Sequence, residues 1–326
     1  MAYLGYGVWS LAGAVLCAGF VKLAIYWAVS DWRPKGKVRL VCVRSMWNFS
    51  SNVLYCSLMG IAYQNMYSVL IGKVYSPASL GYYDRANSLR LLPASTITGI
   101  VNRVAFPLFS RCQDDKLLLL KRMRELVRST LLLSAGGLTL LAIVADPLIP
   151  IILTEKWRPV IPLLRILCYA GVLYPINALY LMVLQAQGYS NLIFRLESIK
   201  VINGIVAVVL IYRYGVIALA WSVVGLAFIA YFINVWYTVK LLGYQWRFQA
   251  FDILPTFALC AIAACFTLWI SAIVGLIPIA VLFIQTGTLI LFLVFGCFMF
   301  RKIYFFDAWK HLVWAYSWFR QRAVLA

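Results

Sequence analysis

Three arginines inside one apolar stretch are the residues in this chain best suited to chemistry. Arg85, Arg90 and Arg103 lie within residues 80–111, LGYYDRANSLRLLPASTITGIVNRVAFPLFSR, a run long enough to cross a bilayer. A guanidinium stays charged and can bind phosphate oxygens through two parallel N–H bonds, so anion binding is the chemistry these residues offer. Arg85 and Arg103 are 18 residues apart, about five helical turns. They therefore point the same way, with Ser88, Thr96 and Gly99 close to the line that joins them. Charge in hydrocarbon is costly, so such a stripe faces a cavity or a partner. The alternative is that Arg85 and Arg90 sit among headgroups while Arg103 snorkels to the other interface.

Further polar residues interrupt other apolar runs. Lys22 and Arg165 are secondary candidates for cavity cations. Asn52, Gln64, Asn65 and Asn102 offer amides, which commonly join membrane helices and in the sharper reading contact sugar hydroxyls. The eight cysteines contain no CxxC pair, and His311 is the sole histidine. No metal site and no cofactor are expected from that inventory. Asp114 and Asp115 stand beside Lys116 and Lys121 and read as a solvated loop end.

The elements that must position these residues are membrane helices. Hydrophobic residues make up 64% of the 326 positions and charged residues 12%, with a mean hydropathy of +0.89. That composition excludes an ordinary soluble domain. The apolar runs are continuous rather than alternating, which excludes a barrel and predicts an all-α, polytopic helical membrane protein.

The formal net charge of +19 is a topology signal, not a sign of nucleic-acid binding. Basic residues collect between alternate runs: Arg33 to Arg44, Arg111 to Arg128, and Arg301 to Arg322. The intervening loops carry few, such as Lys73, Lys156 with Arg158, and Arg213. Basic loops face the cytoplasm by this rule. About nine spans result at roughly 20 residues per crossing, so the N-terminus falls in the periplasm and the C-terminus in the cytoplasm. Residues 113–128 read as an amphipathic helix on the cytoplasmic surface. Glu197 and Lys200 read as an interfacial ion pair.

The blocks LGYYDRANSLRLLP and RVAFPLFSRCQDD resemble the polysaccharide exporters of the MOP flippase superfamily, the Wzx-type transporters that include colanic-acid exporters. GYGVWSLAG followed by WRPK, LIGKVY at 70–75 and EKWRPVIPLLRILC support the resemblance, in the family's order, through about residue 240. The resemblance implies two six-helix bundles around a cavity, often followed by two extra spans. On that map residues 1–30 are the last helix of the first bundle and 31–44 a basic cytoplasmic loop. Residues 45–240 are the second bundle, and 241–326 are two extra spans with an amphipathic cytoplasmic tail. The first five helices would then be lacking, as in a truncated frame or fragment. Tyr67 departs from relatives that often carry Asp at that place.

The function so implied is export of an undecaprenyl-diphosphate-linked oligosaccharide across the bacterial inner membrane, for exopolysaccharide or lipopolysaccharide biosynthesis. Partners would be the lipid-linked oligosaccharide, membrane lipids and other polysaccharide assembly proteins, with no nucleic acid. Arg85, Arg90 and Arg103 are the first candidates to meet the diphosphate, then Lys22 and Arg165. The alternatives are a polytopic polymerase or glycosyltransferase of the same pathway, or an inactive fragment. The outside loops are only a few residues long, which leaves a catalytic group nowhere to sit, so a transporter rather than an enzyme is expected.

Overall fold

The computed structural model describes residues 9–30, 58, 60–63, 65–244, 246–274 and 278–299. Among them every regular element is helical, as the continuous apolar runs predict. The order is α1 (Trp9–Val29), α2 (65–74 and described residues before it), α3 (Pro77–Arg111), α4 (Lys116–Leu153) and α5 (Val160–Ala186). Then come α6 (Ser190–Ile211), α7 (Val216–Leu242), α8 (Trp246–Val274) and α9 (Pro278–Met299), with a 3-10 turn, Glu155–Trp157, between α4 and α5. The basic loop 31–44 and the tail 301–326 lie outside the described residues.

Local chemistry sets the helix ends. Ser76 caps α3, its hydroxyl accepting from the Ser79 N–H at 3.1 Å, and Pro77 fills the first turn, where a missing N–H costs nothing. Asp115 caps α4 by accepting from the N–H groups of Leu117 and Leu118 at 3.0 and 3.1 Å. Asp114 and Asp115 are exposed at this loop end, as expected. Gly243 ends α7 in the left-handed region, φ 76°, which a side chain would strain.

The segment 113–128 departs from its expected form. It is not a separate surface helix: from Lys116 it is continuous with α4, because no Gly or Pro breaks the chain before Gly136. Leu119, Met123 and Val127 are fully buried, so its apolar face packs inside the protein.

The chain forms two compact units, Met1–Tyr55 and Cys56–Ala326. In the first, α1 exposes Phe20, Leu23, Tyr26 and Trp27. In the second, α5 is the central helix, with α3, α4 and α7 packed on it. Two thirds of the apolar window of α5 is buried (67%), against 39% for α4 and 33% for α7. Leu164, Leu167, Ile176, Leu179 and Tyr180 of α5 have no exposure. Helices α8 and α9 pack on α4 and on each other, and α6 on α5 and α7.

The exposed faces are apolar, with Leu133, Ile202, Val209, Phe232, Leu254 and Ile262 outward. Faces of that kind on long helices require lipid, not water, as solvent. Among the described residues α4, α5, α7 and residues 249–270 of α8 are each long and apolar enough to cross a membrane. Helix α3 is not among these four; its 35 residues carry the arginines. The chain is a multi-pass helical membrane protein.

Candidate functional site

Helix α3 has two unlike faces. One buries Tyr83, Ala86, Ala94, Val101, Ala105 and Phe109. Three of these are alanines, and small side chains let the backbones of packed membrane helices approach closely. The opposite line runs Arg85, Ser88, Leu92, Thr96, Gly99 and Arg103, all exposed. This is the stripe that helical spacing predicts. The Thr96 hydroxyl donates to the Leu92 carbonyl at 2.8 Å and Ser95 to the same oxygen at 3.3 Å. These hydroxyls are thus satisfied locally and keep acceptor capacity outward. Asn102 is exposed beside Arg103.

Neither Arg85 nor Arg103 takes part in an ion pair among the described residues. Asp84, next to Arg85, is engaged elsewhere: it accepts from the Ser68 hydroxyl at 2.5 Å. Arg85 instead lies over the Trp157 ring, its guanidinium carbon 5.8 Å from the centroid. An aromatic face attracts a cation without neutralising it.

The structure separates the other candidates from this line. Arg90 stands five positions from Arg85, about 140° round the helix. It is half-buried, donates from Nη2 to Asn87 Oδ1 at 2.7 Å, and has a buried Nε without a partner. Its stem runs along Gly171 of α5, where a Cβ would meet Arg90 Cγ at 3.0 Å. Arg165 is ion-paired with Asp146 and donates from Nε to the Ala142 carbonyl at 3.2 Å. It lines an apolar crevice of about 400 Å³ between α4, α5 and α8, with Leu138, Ile143, Cys168 and Leu268. No α3 residue lines that crevice. Asn65 is exposed and bonds the Ile61 carbonyl at 2.8 Å. Lys22 is exposed on α1, in the first unit. Asn52 and Gln64 lie outside the described residues.

Sequence reasoning did not find the largest polar network. Asp252 of α8, with no exposure, accepts from Arg124 Nε at 2.8 Å, from Arg128 Nε at 2.8 Å and from the Tyr244 hydroxyl at 2.5 Å. Gln249 extends it, donating to the Tyr244 carbonyl at 2.8 Å and accepting from Tyr180 at 3.0 Å. Burial, and then the neighbouring Asp252 carboxylate, raise the Tyr244 phenol above its ordinary value. Because Gln249 and Asp252 find partners inside the protein, α8 begins before the apolar run at Ile253. A second pair, Asn234 to Asn177 at 3.0 Å, joins α7 to α5. The Glu197–Lys200 pair forms as expected, at 2.8 Å.

Comparison with known proteins adds an independent line. A family described as "Polysaccharide biosynthesis protein" matches residues 1–162. The chain is 26% identical over 226 residues to the teichuronic acid biosynthesis protein TuaB of Bacillus subtilis, covering 68% of this chain and 47% of that one. It is 24% identical over 208 residues to the lipopolysaccharide biosynthesis protein WzxC of Escherichia coli, covering 62% and 42%. It is 24% identical over 247 residues to the succinoglycan biosynthesis transport protein ExoT of Rhizobium meliloti, covering 76% and 48%. The chain thus spans about half the length of these relatives. Its fold is similar to that of the lipid II flippase MurJ in its inward closed conformation, with a TM-score of 0.67 over 86% of this chain and 59% of that one, at 14% identity.

Proposed function

From its similarity to polysaccharide biosynthesis proteins and its flippase-like fold, we propose that the chain is a MOP-type exporter that moves a lipid-linked oligosaccharide across the bacterial inner membrane. The cargo in this reading is an undecaprenyl-diphosphate-linked repeat unit, delivered to the periplasmic leaflet for surface polysaccharide assembly. The protein acts as a transporter and not as an enzyme.

One observation carries the reading: Arg85 and Arg103 are exposed on one face of α3, with no carboxylate partner among the described residues and with hydroxyls between them. A diphosphate cannot cross hydrocarbon unpaired. A line of guanidiniums and hydroxyls offers it successive charge-assisted hydrogen bonds along the helix. Asn102 and Asn65 extend the polar surface toward sugar hydroxyls. The basic loops face the cytoplasm, which puts the α4–α5 turn at the periplasmic end. Arg90 and Arg165 serve differently, the first as a helix-packing cation and the second as a partner of Asp146.

The test is complementation in a bacterium lacking its exopolysaccharide exporter, with surface polysaccharide as the readout. The protein restores polysaccharide, and a variant with both Arg85→Gln and Arg103→Gln does not, although its membrane abundance is unchanged. Equal rescue by the two overturns the stripe as the substrate path.

A further inference from the structure

Thr154 is the one non-glycine residue with positive φ among the described residues, at φ 80° and ψ 163°. That region is nearly closed to side chains. Strain persists where surrounding structure holds a geometry in place. Here the strained residue opens the turn Glu155–Trp157, its carbonyl accepting from the Trp157 N–H at 3.1 Å. The turn is tied again by the Arg158–Glu155 ion pair. Its product is the placement of one indole. Trp157 packs against the core, meets Tyr82 edge-on at 5.9 Å and 85°, and presents its face to Arg85. Arg85 is exposed and lies at the N-terminal end of the α3 stripe.

We infer that Trp157 is a positioning residue for the transported anion. Its ring holds the Arg85 guanidinium at the α4–α5 end of the stripe, ready to bind a phosphate group with its N–H edge. The inference rests on the proposed path along α3. The contact suits the task because an aromatic ring attracts the cation without a carboxylate's hydrogen bonds, so the guanidinium keeps its charge and its donors for an anion. A carboxylate in the place of Trp157 would occupy those same donors and cancel the charge that the anion needs. Trp157 therefore orders a long side chain that otherwise loses rotamer freedom on binding.

The experiment replaces Trp157 with tryptophans carrying one, two and three fluorines, which weaken the ring's attraction for a cation with little change of shape. Purified protein in lipid nanodiscs is titrated with undecaprenyl diphosphate, alongside Arg85→Gln. Affinity is expected to fall stepwise with fluorine number, by about two- to five-fold in all, the size of an exposed ring–cation contact. Arg85→Gln is expected to weaken binding at least as much, and fluorination in that variant to have no further effect. A flat or rising series with a weakened Arg85→Gln overturns the role of Trp157 while the α3 path stands. Unaltered binding by Arg85→Gln overturns the path itself, and the inference with it.

Discussion

Arg124 of α4 and Asp252 of α8 are joined by two parallel hydrogen bonds, Nε to Oδ2 at 2.8 Å and Nη2 to Oδ1 at 3.1 Å, across 128 residues of sequence. Arg128 and Tyr244 bond the same carboxylate. The carboxylate has no exposure, whereas the Arg124 and Arg128 side chains keep 28% and 22% of theirs. The two sides of the interaction are therefore unequal. Losing Asp252 removes the shared acceptor of Arg124, Arg128 and Tyr244 at once. Losing one arginine leaves the carboxylate paired with the other.

From that asymmetry, Asp252→Asn is expected to cost on the order of 3 kcal/mol, and Arg124→Gln roughly 1 kcal/mol. Arg124→Gln with Arg128→Gln should cost more than the sum of the single changes, since only the pair strands a buried carboxylate. Thermal unfolding in detergent, followed by circular dichroism, measures all four. Equal effects of Asp252→Asn and Arg124→Gln would contradict the network as described.

The strained turn makes a prediction of opposite sign. Thr154→Gly removes the clash that φ 80° imposes on a side chain. It also adds freedom to the unfolded chain, which offsets part of the gain. A net stabilisation of about 1 kcal/mol is expected. A lower melting temperature for this variant would mean that the Thr154 side chain contributes something its backbone strain does not reveal.

Two glycines of the bundle should respond oppositely to alanine. At Gly171 a Cβ would lie 3.0 Å from both Arg90 Cγ and Leu138 Cδ1, and Leu138 is fully buried and cannot yield. Overpacking there costs about 1–3 kcal/mol, more than the helix gain of about 1 kcal/mol. Gly99 faces open space on the stripe. Gly99→Ala is expected to stabilise by about 1 kcal/mol, and Gly171→Ala to destabilise by a similar net amount. Melting temperatures of the two variants give the check.

Facing along α3 can be read by thiol labelling in a cysteine-free background. Ser88→Cys and Thr96→Cys are expected to react with a membrane-impermeant reagent. Ala86→Cys and Ala94→Cys, at positions with no exposure, are not. Failure of Ser88→Cys and Thr96→Cys to react in membranes would place the stripe against lipid or protein instead of water.

The helices themselves were legible because their signals are local. Helix α4 ends at Leu153 and α5 starts at Val160, on either side of the polar segment TEKWRP. The glycines, prolines and charges that end an apolar run also end its helix. The stripe was legible for the same reason: residues 85, 88, 96, 99 and 103 share a face by geometry alone, once α3 is a helix. Arg90, a further candidate cation, lies about 140° round the helix from Arg85.

Composition and periodicity thus determined, without any tertiary information, that this is a helical membrane protein with a cationic line on one helix. What they left undecided was which polar residues are spoken for. Arg165 belongs to Asp146, Arg124 and Arg128 to Asp252, and Arg85 to the face of Trp157. Each choice depends on helices that meet only after the chain has folded. Hydropathy and helical spacing are properties of one segment, and partnership is a property of two, so only the packed structure could assign it.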